Sequence, residues 1–109
     1  MTREQTKHIS ILLADDHAVV RRGIRDFLSE DEEIEVIAEA DDGAEAWAKM
    51  TQQLPDVAVL DIRMPELSGI ELTKRIKERY PEVRVLILTA YDDEPYIFAL
   101  LRAGADGYI

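Results

Sequence analysis

Three runs in this chain, ISILLA (9–14), DVAVLD (56–61) and VRVLILT (83–89), are apolar at nearly every position. Between them lie segments in which apolar residues recur every three or four positions. A strand that is apolar on both faces must be covered on both faces. That condition is met by parallel strands with helices packed above and below the sheet. A fourth run, IEVIAEA (34–40), alternates with acids, as an edge strand with one wetter face does, and a short GYI (107–109) closes the series.

The intervening segments read as amphipathic helices. Val20, Ile24, Phe27 and Leu28 share a face in 18–29, Ala44, Trp47 and Ala48 in 43–53, Leu72, Ile76 and Tyr80 in 68–80, and Ile97, Leu100 and Leu101 in 94–103. Ser68 followed by Glu71 is a capping box for the third helix, Asp93 caps the fourth with Pro95 in its first turn, and Gly104 stops it. The order is βαβαβαβαβ. Right-handed crossovers then imply an α/β, doubly wound, five-stranded parallel sheet. Its order 2-1-3-4-5, flavodoxin-like and lacking the last helix, is what the family resemblance given below implies. In that order ligands bind at the carboxyl ends of strands 1 and 3, where the winding reverses.

At 109 residues this is one domain, with residues 1–8 a polar, flexible lead-in. The net charge of −10 repels phosphate backbones, so the domain is not expected to bind nucleic acid directly, and it favours a cation or a basic partner. The absence of cysteine excludes disulfides, thiolate-bound zinc and thiol catalysis. His8 and His17 are too few for a histidine-rich metal site. No apolar run approaches the ~20 residues of a membrane span. The first ten residues contain no signal-peptide core, so the expected compartment is cytoplasmic.

The first run ends in Asp15-Asp16 and the third in Asp61. Neighbouring strands lie ~4.8 Å apart, so these carboxylates crowd together. Two of them ~4 Å apart repel by about 4 kcal/mol at an effective dielectric of 20. Capping of the first helix by Asp16 accounts for one acid, not for three from adjacent strands. A divalent cation accounts for all three. Mg²⁺ suits an all-oxygen site, and Mn²⁺ would use the same ligands.

LADD (13–16), VLDIRMPELSG (59–69), LTAY (88–91) and AGADGYI (103–109) resemble the receiver domain of two-component response regulators. The resemblance runs over residues 9–109 and is strongest to the subfamily with a C-terminal helix-turn-helix output domain. It implies that Asp61 is the phosphoacceptor, a carboxylate that takes a phosphoryl group from a sensor histidine kinase. It implies that Asp15 and Asp16 hold Mg²⁺ together with Asp61 and the backbone carbonyl of Arg63. Met64-Pro65 and Gly69 shape the loop after the acceptor. Thr89 becomes a donor to the phosphoryl oxygen and Tyr108 the switch aromatic that follows Thr89 when it moves. The implied role is a phosphorelay switch for transcription rather than an enzyme, with self-phosphorylation and slow self-dephosphorylation its only chemistry.

The family carries a lysine at the end of strand 5, which would fall two residues after Ile109, and a fifth helix after it. The expectation is therefore a receiver domain cut short, with strand 5 a bare edge, which favours homodimerisation, domain swapping or low stability. Two other functions fit less well. Haloacid-dehalogenase-like phosphatases carry a second aspartate where this chain has Arg63. A flavodoxin-like cofactor module needs a Gly- or Ser/Thr-rich phosphate loop where this chain has Asp15-Asp16-His17. Of the remaining residues, His17 reads as a surface side chain, Trp47 as helix packing, 30–33 as a solvated turn, and Arg21, Arg22 and Arg25 as a solvated helix face.

Overall fold

The run of apolar segments folds into one parallel sheet. The structure, a computed structural model, describes residues 8–62, 64, 66–88 and 101–108, and of Tyr108 only the backbone. The strands are β1 (Ile9–Ala14), β2 (Ile34–Ala40), β3 (Val57–Asp61), β4 (Arg84–Leu88) and a two-residue β5 (Gly107–Tyr108), in the order β2-β1-β3-β4-β5. Four full strands carry the sheet, and β5 joins it only through Leu86↔Gly107 and Ile87↔Tyr108. The helices are α1 (Ala18–Leu28), α2 (Gly43–Gln52) and α3 (Gly69–Arg79). Of the helix expected at 94–103, residues 101–103 are helical; the remainder, with Asp93 and Pro95, lies outside the described residues.

Because β1, β3 and β4 are apolar at nearly every position, their alternate side chains feed two cores. Leu12, Leu60 and Ile87 point to one face, where Met50 of α2 and Leu72 and Ile76 of α3 cover them. Ile11, Leu13 and Val59 point to the other, where Ile24 and Leu28 of α1 lie over them. The α1 stripe expected from periodicity is only half used: Val20 is 51% and Phe27 72% exposed. Among the described residues no second helix flanks α1 on this face, so the outer half of its stripe has nothing to pack on.

Helix ends follow local chemistry. Ser68 accepts a hydrogen bond from the Glu71 N–H at 3.2 Å, as its capping box requires. Asp42 caps α2 in the same way, accepting from the Glu45 N–H at 2.7 Å. Gly104 adopts φ 106°, open to glycine at no steric cost, as a helix stop demands.

Two glycines decide how the chain leaves β3. A Cβ on Gly69 would lie 2.6 Å from the Asp61 carbonyl oxygen and 2.9 Å from Ile62 Cα, and the Gly69 N–H donates to the Ile62 carbonyl at 3.0 Å. A Cβ on Gly43 would overlap the Leu67 carbonyl oxygen and lie 2.6 Å from Leu67 Cβ. The start of α2 therefore abuts the β3–α3 loop, which also holds Glu66 at φ 71°. Since the obstacle is backbone, Gly43→Ala should destabilise by about 2 kcal/mol through overpacking. Urea denaturation reads this directly, and an unchanged midpoint would show that the loop yields freely.

A charged clamp holds the approach to β5. The Asp106 carboxylate meets Lys77 Nζ at 2.7 Å and accepts the Val85 N–H at 2.8 Å, while the Asp106 N–H donates to the Val85 carbonyl at 2.8 Å. Partial burial pushes the Asp106 carboxyl up, but the Lys77 ammonium, the Val85 N–H and the Arg84 charge together hold it below the usual carboxylate range. A depressed carboxylate contributes stability above its unfolded pKa and loses it as pH falls through the folded value. Asp106 is about a third exposed, so solvent screening limits the contribution to ~1 kcal/mol. Asp106→Asn should cost that amount near pH 7 and nothing below the carboxylate range. A cost independent of pH would assign the effect to the hydrogen bonds alone.

Candidate metal centre

The register of the sheet builds the site. β1 and β3 are parallel neighbours with Ala14 opposite Leu60, so the next residues, Asp15 and Asp61, leave the two tips side by side. Asp15 is only 4% exposed. Its N–H donates to the Ala40 carbonyl at 3.1 Å, and its Oδ1 accepts the His17 N–H at 2.8 Å, which folds 15–17 into a tight turn. One ligand atom each from Asp15, Asp16, His17 and Asp61 lies within 4.8 Å of the others. The expected meeting of all three carboxylates is thus present. The capping alternative for Asp16 is not: the N-cap of α1 is His17, which makes no side-chain capping bond.

His17 is a surface side chain, as expected, but it also sits beside the acids. Its ring stays largely exposed, yet Nδ1 lies 3.1 Å from Asp15 Oδ1, 3.0 Å from Asp16 Oδ1 and 3.9 Å from Asp61 Oδ2. The hydrogen bond to Asp15, then the charges of Asp16 and Asp15, hold the imidazole above its usual pKa. Its protonated form offsets part of the negative charge.

Arg21 departs further from its expected solvated face. Its side chain is 15% exposed, and Nη1 donates to the carbonyls of Asp15 at 2.6 Å and Ala40 at 3.2 Å. Nε reaches Glu39 Oε1 at 3.1 Å, and Nη1 also meets the Asp41 carboxylate. Burial lowers the guanidinium pKa, but Asp41 and Glu39 together outweigh it and raise it. The available signal was spacing. Arg21 lies one helical turn after His17 and so overlies the turn that carries the acids. Arg25 also pairs with Glu39, at 3.2 Å, so Glu39 on β2 is a shared counter-charge for α1.

Arg63 and Thr89 lie outside the described residues, as does Pro65; Met64 is buried. Tyr108 stands in β5 opposite Ile87, with its side chain outside the description.

The donor set tests the metal reading. Three carboxylates, one of them almost wholly buried, converge on one point beside the His17 ring. Hard oxygen donors in this number suit a small divalent cation such as Mg²⁺ or Mn²⁺. The residues present fit such an ion.

Comparison with known proteins agrees with this geometry. The family described as the response regulator receiver domain matches residues 11–109. Over 102 residues the chain is 50% identical to oxygen regulatory protein NreC of Staphylococcus haemolyticus, a match covering 93% of this chain and 47% of that protein. The chain thus spans about half the length of the curated relatives it matches. The signal receiver domain of the putative response regulator NarL from Mycobacterium tuberculosis superposes with a TM-score of 0.88 at 35% identity, over 94% of this chain and 82% of that one. A LuxR-family DNA-binding response regulator from Staphylococcus aureus superposes with a TM-score of 0.88 at 25% identity, over 93% and 84%. With an acidic pocket at the β1 and β3 tips and a family match reaching from β1 to the last residue, the chain belongs to the response regulator receiver domain family.

Proposed function

We propose that this chain is a phosphoacceptor switch, with Asp61 the residue that takes the phosphoryl group. The observation that carries the reading is the convergence of Asp15, Asp16 and Asp61 from two neighbouring strand tips. Asp15 is too buried to meet an incoming group, whereas Asp61 stands at the open end of β3 with its loop braced by Gly69. An Asp61 oxygen attacks the phosphorus of a phosphohistidine on a sensor histidine kinase. An O–P bond forms, the P–N bond breaks, and the imidazole leaves with the bonding pair and takes up a proton. Asp15, Asp16 and Asp61, with the Arg63 carbonyl, would hold Mg²⁺ or Mn²⁺, which offsets the charge of nucleophile and phosphoryl oxygens.

After transfer, the Thr89 hydroxyl donates to a phosphoryl oxygen, and Tyr108 moves into the space it leaves. The changed surface then acts on an output domain that follows in the whole protein. DNA binding and transcriptional control are the output best supported, since the relatives are about twice as long and one structural relative is a DNA-binding regulator. Pairing of two copies belongs to the same reading, supported by the exposed Val20 and Phe27 on α1. So does a cytoplasmic setting: among the described residues no helix is long and apolar enough to cross a membrane. Turnover as a hydrolase is not favoured, because Arg63 occupies the place of the second catalytic acid.

The test is incubation with Mg²⁺ and a small acyl-phosphate donor, followed by mapping of the modified residue. Modification at Asp61 that requires the cation supports the reading; modification elsewhere, or none, overturns it.

A further inference from the structure

We propose that Arg21 is a positioning residue of the acidic pocket, holding the turn that presents Asp15 and Asp16. The inference rests on the metal reading above and extends it to a residue outside the ligand set.

The argument starts from the turn itself. Residues 15–17 join β1 to α1, and two acids there must stay close to a third despite mutual repulsion. The Asp15 N–H donates to the Ala40 carbonyl, and among the described residues the Asp15 carbonyl is met from α1. Arg21 holds the turn at two points, and its side chain alone reaches the Asp15 carbonyl. Its main-chain N–H donates to the His17 carbonyl at 2.8 Å, and its Nη1 donates to the Asp15 carbonyl at 2.6 Å and the Ala40 carbonyl at 3.2 Å. One planar group thus bridges the tips of β1 and β2. Glu39 through Nε, and Asp41 through Nη1, set its orientation. Lysine cannot substitute, because a single ammonium on a flexible stem cannot reach two carbonyls and two carboxylates at once as the guanidinium does. Outer groups of this kind orient metal ligands, and their loss typically weakens metal binding by about 10- to 100-fold.

A general role in stability makes a different forecast, and Arg25 separates the two. Arg25 shares Glu39 with Arg21, at 3.2 Å. Its other bond from the same guanidinium goes to Asp26. The experiment measures Mg²⁺ affinity by calorimetric titration, and melting without Mg²⁺, for the wild-type chain, Arg21→Met, Arg21→Lys and Arg25→Met. Arg21→Met should weaken Mg²⁺ binding about tenfold or more. Arg21→Lys should recover much of the melting temperature, since it keeps the charge facing Glu39 and Asp41, but little of the affinity. Arg25→Met should lower the melting temperature and leave affinity within about twofold. Should Arg21→Met fail to fold, Arg21→Lys still decides. Unchanged or tighter Mg²⁺ binding in the folded Arg21 variants would overturn the proposal while leaving the metal site standing. A wild-type chain that binds no Mg²⁺ would remove both.

Discussion

Asp61→Asn is expected to abolish phosphoryl uptake from Mg²⁺ and an acyl-phosphate donor, while making the cation-free protein more stable. The two effects have separate causes. An amide oxygen is a poor nucleophile toward phosphorus, and no other described carboxylate combines the strand-tip position with the braced loop. Asp16 is exposed but lies on a turn bound to β1, and Asp15 is nearly buried. The gain in stability comes from electrostatics. Three carboxylates with ligand atoms within 4.8 Å repel one another, and substitution removes one of the three charges. The pairwise repulsion is about 4 kcal/mol at 4 Å and an effective dielectric of 20. Partial exposure and the nearby His17 ring reduce this, leaving an expected gain of about 1 kcal/mol, or roughly 4–8 °C in a domain of this size. Radiolabelled donor measures the first effect and thermal melting in chelator the second. A variant that still accepts phosphorus would move the acceptor elsewhere. A variant less stable than wild type would mean that Asp61 serves the fold more than it strains it.

The second large effect is stabilisation by the cation. An ion that binds the folded chain and not the unfolded one stabilises by mass action, about 2.7 kcal/mol at one hundred times its dissociation constant. For a domain of this length that is a rise of about 10–20 °C in the melting midpoint. The gain is larger than a surface ion pair provides because the acids have been brought together at a cost that the cation relieves. Asp15→Ala should remove most of the rise. It deletes a ligand and also the acceptor of the His17 N–H that shapes the turn. The rise should also shrink on acidification, since protonated carboxylates do not bind the ion. Mn²⁺ should act similarly, whereas monovalent salt at equal ionic strength should not. A midpoint indifferent to millimolar Mg²⁺ would remove the metal from the account.

Much of this was readable along the chain because the relevant forces are local or periodic. Short runs apolar at consecutive positions, alternating with amphipathic segments, suit interior parallel strands. The acids that end two of them must then share one edge of the sheet, so Asp15, Asp16 and Asp61 met as expected. The caps of α2 and α3 and the stop at Gly104 likewise depend on neighbours within a few positions. The Asp42 cap went unread even so, because it stands within a run of acids that offers several candidates. The half-used stripe of α1 was out of reach for another reason. Periodicity says which residues share a face, but not how much of that face a neighbour covers.

The sequence alone settled the alternation of strands and helices and the acids that end β1 and β3. Each follows from hydrophobic period and chain connectivity, which any rotation of the helices leaves intact. Only the tertiary structure decided that Arg21 reaches the Asp15 carbonyl, that His17 turns its ring onto the acids, and that Gly43 gives way to Leu67. These depend on the rotation and seating of a helix against the sheet and its loops. Such seating is set by the sum of many packing contacts distant in sequence, and no single stretch of residues encodes it.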